Sequence, residues 1–120
     1  MAGSFVANQL NTDTGVFQNN NAFNGIAKAW ILYNGSTQTI VNSFNVSSVT
    51  YNSTGLYTIN FTTAMPNANY CVSGTSTYAG GQNLYITPTS TKTASSCQLY
   101  SVYYGAPADG TAVSVVINGN

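Results

Sequence analysis

The clearest pattern in the chain is the alternation from Leu56 to Thr63, with Tyr57, Ile59 and Phe61 at one parity and Thr58, Asn60 and Thr62 at the other. Successive side chains of a strand point to opposite faces, so this run reads as a half-buried β-strand. It follows Ser43 to Tyr51 across Asn52-Ser53-Thr54-Gly55, where Asn and Gly tolerate left-handed backbone angles, and a hairpin is expected. In the first arm of that hairpin the apolar parity shifts, Phe44 and Val46 giving way to Val49 and Tyr51. A bulge or bend at Ser47-Ser48 would restore the facing.

Further short β-prone runs are Ala27 to Tyr33, Thr39 to Val41, Tyr70 to Gly74, Asn83 to Thr87, Ser96 to Tyr104 and Ala112 to Asn118. Turn clusters separate them: Asn34-Gly35-Ser36, Met65-Pro66-Asn67, Ala79-Gly80-Gly81 and Pro107-Ala108-Asp109-Gly110. No helical period and no internal repeat competes with this reading. The expectation is an all-β protein, an antiparallel β-sandwich of about seven short strands, over residues 26–120. Before it, residues 1–25 are rich in Asn, Gln, Thr and Gly with isolated apolar positions. They read as an extended N-terminal arm that orders against a partner, with Phe5, Val6, Leu10, Val16 and Phe17 as the anchor.

Two runs are apolar at both parities. Ala27 to Tyr33 sets Lys28, Trp30 and Leu32 against Ala27, Ala29, Ile31 and Tyr33, and Ser96 to Tyr104 is similar. In a small antiparallel domain the second face ordinarily meets water, so Trp30, Leu32, Tyr100 and Val102 are candidates for an interface between subunits.

Composition sharpens this. Charged residues make up 3% of the chain, against roughly 25% in ordinary soluble domains. They are Asp13, Lys28, Lys92 and Asp109, with no Arg, Glu or His. Two lysines cannot neutralise a run of phosphates, which excludes nucleic acid as a partner. With little like-charge repulsion between copies, a homo-oligomer is expected. Nucleophilic catalysis needs a positioned base, and without His or Glu neither a triad nor a Cys–His pair can form. Asp13 and Asp109 lie in the arm and in a turn, so a carboxylate pair is not expected either, and Asp109 is read as bonding to nearby amides of its own turn. No enzyme, no cofactor and no metal site follows from this inventory.

Cys71 and Cys97 match no metal or redox spacing and are read as two buried free thiols. No stretch approaches the roughly 20 apolar residues of a membrane span, and Met1-Ala2-Gly3-Ser4 lacks the features of a signal peptide. Synthesis in a cytoplasm is expected. The Asn-X-Ser/Thr triplets at Asn34, Asn45, Asn52 and Asn60 are what a chain crowded with Asn, Ser and Thr yields by chance. Nine tyrosines remain. Exposed Tyr can stack on sugar rings and hydrogen-bond hydroxyls, so Tyr78, Tyr103 and Tyr104 are candidates for contact with a receptor, a surface glycan or protein; core or inter-subunit packing is the alternative for each.

Three stretches together resemble a module of tail-fibre and other virion proteins of tailed bacteriophages, notably marine and cyanobacterial ones. They are Gly25-Ile26-Ala27-Lys28-Ala29-Trp30-Ile31-Leu32-Tyr33-Asn34-Gly35, Ser43-Phe44-Asn45-Val46-Ser47-Ser48-Val49-Thr50, and the run from Gly55 through Asn60-Phe61-Thr62-Thr63-Ala64-Met65-Pro66 to Tyr70. The resemblance covers roughly half of the chain. It implies a virion structural protein, often a trimer, displayed on the particle and concerned with host attachment, with the arm gripping other virion proteins. It transfers no binding residues. A capsid or tail decoration protein is the alternative, and a carbohydrate-binding module a more distant one.

Overall fold

Turn residues at short, regular spacing let β-branched and aromatic runs reverse and pair, and eleven strands result among the described residues. They are β1 Gln9–Thr12, β2 Gly15–Gln18, β3 Ala27–Asn34, β4 Thr39–Phe44, β5 Val46–Ser53, β6 Leu56–Phe61, β7 Tyr70–Tyr78, β8 Gln82–Lys92, β9 Ser96–Tyr103, β10 Ala106–Pro107 and β11 Ala112–Gly119. These come from a computed structural model that describes Gly3 and residues 9–12, 15–18, 24–78 and 82–119. The protein is all-β. Asn24 and Gly25 carry helical backbone just ahead of β3. Within the arm, β1 and β2 pair as an antiparallel hairpin, Leu10 opposite Phe17 and Asn11 opposite Val16. Four-residue strands hold too little alternation to announce themselves in the sequence.

The other strands form one antiparallel sheet in the order β4-β3-β11-β7-β8-β9-β6-β5, with β10 on β9. This sheet folds over on itself into a sandwich-like arrangement. Its fold line lies between β7 and β8, which pair only where Thr75 to Tyr78 meets Gln82 to Tyr85. One half turns Ala29, Ile31 and Tyr33 of β3 and Val113, Val115 and Ile117 of β11 inward. The other half meets them with Tyr57, Ile59 and Phe61 of β6 and Cys97 and Leu99 of β9. All are nearly inaccessible to solvent, and burying side chains of this size contributes roughly 1.5–3 kcal/mol each. The alternation read in Leu56 to Thr63 is realised as expected, with Tyr57, Ile59 and Phe61 inside. Two serines are also buried, and each satisfies the other: Ser101 Oγ donates to Ser76 Oγ at 3.2 Å.

The run Ser43 to Tyr51, read as one strand, is two. Ser43 and Phe44 end β4, Asn45 turns the corner at φ 55°, and β5 starts at Val46. One continuous segment thereby supplies the edge strand of both halves, a strand that changes sheets through a bend. Asn45 suits the corner because it tolerates the left-handed region and its amide can bond locally. Its Nδ2 donates to the carbonyls of Lys28 at 3.0 Å and Thr63 at 3.1 Å, and its Oδ1 accepts from Thr63 N at 2.7 Å. The expected irregularity at Ser47-Ser48 is present as a register shift between Val46 and Ser48 against β6.

Strand register sorts the loops into two poles. At one pole the chain enters β3 and leaves β11, Ala27 opposite Asn118, and Asn118 Nδ2 donates to Gly25 O at 3.1 Å. The Asn45 corner sits at the same pole. At the other lie the turns around Gly35, Gly55, Tyr104 and Asp109, joined by Gly35 N to Gly110 O at 2.8 Å, Ser101 N to Gly55 O at 2.7 Å and Ala108 N to Ser101 O at 2.9 Å.

Candidate functional site

The far pole is organised by Asp109. Its Oδ1 accepts from Gly55 N at 2.8 Å and from Tyr57 Oη at 2.9 Å, and its Oδ2 accepts from Tyr51 Oη at 2.9 Å. The donors lie more than fifty residues away in sequence, so Asp109 does not shape its own turn, as the turn chemistry of Pro107-Ala108-Asp109-Gly110 suggested; it ties its own loop to three points of one distant hairpin. Nothing local in the sequence signals this, because the donors belong to the β5–β6 hairpin. Gly55 has to be glycine: its φ is 68°, and a Cβ would come within 2.5 Å of Ser101 O and 2.6 Å of Ala108 N. Burial raises the Tyr57 hydroxyl well above the usual phenol range, and its bond to Asp109 adds to this. Tyr33, edge-on to Tyr57 at 5.2 Å, is raised by burial and then by the Asp109 charge.

Beside the knot stands a group of tyrosines. Tyr78 stacks on Tyr103 with ring centroids 5.8 Å apart and planes 20° from parallel, and Tyr104 meets Tyr103 edge-on at 4.6 Å. The three receptor candidates read from the sequence therefore form one cluster. Tyr104 is 90% exposed and Tyr78 40%. A hollow next to Tyr78 is lined by Ser36, Thr54, Pro107, Ala108 and Asp109.

The proposed interface residues do not form one surface. Trp30 and Leu32 lie on the outer face of the half containing β3, whereas Tyr100 and Val102 point away from the core on β9, in the opposite half. Around Trp30 an apolar row crosses three strands, with Phe44 of β4 on one side and Val116 of β11 on the other. Phe44 is 53% exposed and Trp30 37%. Leu32, Ser73, Thr75 and Ser114 complete a shallow trough on this face. Of the anchor candidates, Leu10 is in β1 and Val16 and Phe17 are in β2, while Phe5 and Val6 lie outside the described residues.

Near the other pole, Lys92 Nζ donates to Tyr70 O at 2.9 Å and sits 5.2 Å from the Tyr70 ring. Tyr70 Oη in turn reaches the carbonyls of Thr93 at 2.9 Å and Ser96 at 2.8 Å. These bonds pin β7 to the β8–β9 turn where the two strands no longer pair. Burial pushes Tyr70 up to about 12, and the Cys97 thiol up to about 12 despite the opposing charge of Lys92. Cys97 is a buried free thiol as expected; Cys71 is free but exposed, because its parity on β7 points away from the core.

Among the described residues no three His, Cys, Asp or Glu come together, and no helix is long and apolar enough to cross a membrane. No protein-family model matches the chain, and no curated protein or solved structure does either.

Proposed function

We propose that this chain is a non-enzymatic structural protein of a tailed-bacteriophage particle, a short fibre- or spike-like module that associates with copies of itself and takes part in host attachment. The observation that carries this reading is the division of labour between the poles. The arm joins the sandwich where β3 starts and β11 ends, and the exposed tyrosines occupy the opposite pole. A module held at its first pole presents the second outward, and what it presents is neutral and aromatic, suited to contact rather than proton chemistry. The resemblance of Gly25 to Tyr70 to a virion module supplies the particle.

Labelled protein incubated with host cells tests the attachment role: binding to cells supports it, and protein that rebinds stripped particles while ignoring cells supports decoration of the capsid or tail instead. The apolar row Phe44, Trp30 and Val116 favours that second reading as well as self-association, since a neighbouring subunit of either kind would cover it.

A further inference from the structure

Tyr104 occupies a position that its side chain does not suit. Between β9 and β10 the chain reverses over Tyr104 and Gly105, with φ values of 47° and 81°, the signature of a type I′ hairpin turn. Such turns favour Asn, Asp or Gly at both central residues, and a bulky ring at the first is a conformational outlier. Folding gains little from it in return, because 90% of Tyr104 remains exposed. Strain retained without burial is a reason to look for binding at that place.

The surroundings define what would bind. Tyr103 stacks on Tyr78 and meets Tyr104 edge-on, so the three rings form one platform, and Tyr104 leaves most of its ring open to stacking. At its foot the hollow offers the hydroxyls of Ser36 and Thr54 and the Asp109 carboxylate. A carboxylate has about four acceptor sites; three of those on Asp109 are taken by Gly55, Tyr51 and Tyr57, which leaves one. Register places Lys28 and Lys92 towards the opposite pole, so among the described residues no cation attends the platform and an acidic ligand has nothing to pair with. An aromatic face beside hydroxyls and a single acceptor matches a ring that has one apolar face and a rim of hydroxyl donors.

We infer that the Tyr78–Tyr103–Tyr104 platform, together with the Asp109 hollow, is a binding site for an uncharged pyranose unit of a surface polysaccharide. The inference rests on the attachment reading above and gives it a ligand class. The sugar ring stacks on the tyrosines and directs a hydroxyl to the remaining acceptor site of Asp109.

The test is a glycan array carrying both neutral and acidic oligosaccharides, probed with the labelled full chain and followed by calorimetric titration of the strongest hit. Binding to neutral glycans is expected, weakened at least tenfold in Tyr104→Asn and at least fivefold in Tyr78→Ala. The Asn variant suits the turn better than Tyr, so its melting temperature is expected to match or exceed that of the parent, which separates lost binding from lost folding. An empty array, hits confined to acidic glycans, or neutral binding unchanged in Tyr104→Asn would each overturn the site. The attachment reading is judged separately on cells: protein that labels host cells without any glycan hit loses the site and keeps the reading, and protein that binds neutral glycans yet ignores cells does the reverse.

Discussion

Asp109 ties its loop to three points of the β5–β6 hairpin with one side chain, and that concentration makes it the most consequential polar residue at its pole. Replacing it with Asn keeps the shape but removes the charge and one acceptor oxygen, so at least one of Gly55 N, Tyr51 Oη and Tyr57 Oη loses its acceptor. A charge-assisted hydrogen bond contributes about 1.5–3 kcal/mol, and Asp109→Asn is expected to lower unfolding stability by about 2–3 kcal/mol in urea. Tyr51→Phe, which removes one donor to that carboxylate and leaves the two on Oδ1 in place, should cost about 1.5–2 kcal/mol. The buried hydroxyls and thiol set a second expectation. Tyr57, Tyr33, Tyr70 and Cys97 all have raised folded-state values, so above pH 9 to 10 the unfolded chain loses protons that the folded one keeps. Their contribution is complete below those values and is lost as pH climbs, that of Tyr70 and Cys97 by about 12. Urea midpoints measured from pH 8 to 12 should fall steadily, and less steeply in Tyr70→Phe.

Among the elements, strands were legible where alternation was long enough to define a face. Tyr57, Ile59 and Phe61 could be placed inside from parity alone, whereas Ala27 to Tyr33 is apolar at both parities and only the structure shows that Ala29, Ile31 and Tyr33 are the inner set. The corner at Asn45 left no parity signal, because Phe44 and Val46 on either side of it share a parity, and the shift read at Ser47-Ser48 belongs to the separate register shift against β6. The arm hairpin and the two-residue β10 left no signal at all, since so few positions cannot establish a period. The corner has a direct test. Asn45→Ala loses three amide hydrogen bonds and places an ordinary L residue at φ 55°, and should destabilise by about 2–3 kcal/mol. Asn45→Gly keeps the backbone freedom and loses only the bonds, so its midpoint should lie between parent and Ala.

On the scale of the whole molecule, the class of fold followed from the spacing of strands and turns, but the order of strands did not. β3 pairs with β11 and β6 with β9, and contacts of that sequence separation leave no local imprint. For the same reason sequence parity showed that Trp30, Leu32, Tyr100 and Val102 are apolar in excess of what one core needs, yet not that they face opposite ways. The candidate pole was legible only in part: the tyrosines were visible as residues, and their gathering around Asp109 was not. Self-association should be evident in light scattering as a mass that is a multiple of 12.6 kDa. Trp30→Ser combined with Phe44→Ser, both on the outer face and away from the core, should reduce that mass to the single chain while leaving the far-ultraviolet circular dichroism unchanged. A parent protein that is monomeric at high concentration would remove self-association from the proposal.

The pairing of Ala27 with Asn118 also has mechanical meaning. A pull that separates the beginning of β3 from the end of β11 would open their ladder like a zip, loading one bond after another, the weakest way to stress a sheet. A load on one of those strands alone leaves that seam unstressed. These two strand ends are therefore poorly placed to carry a load between them.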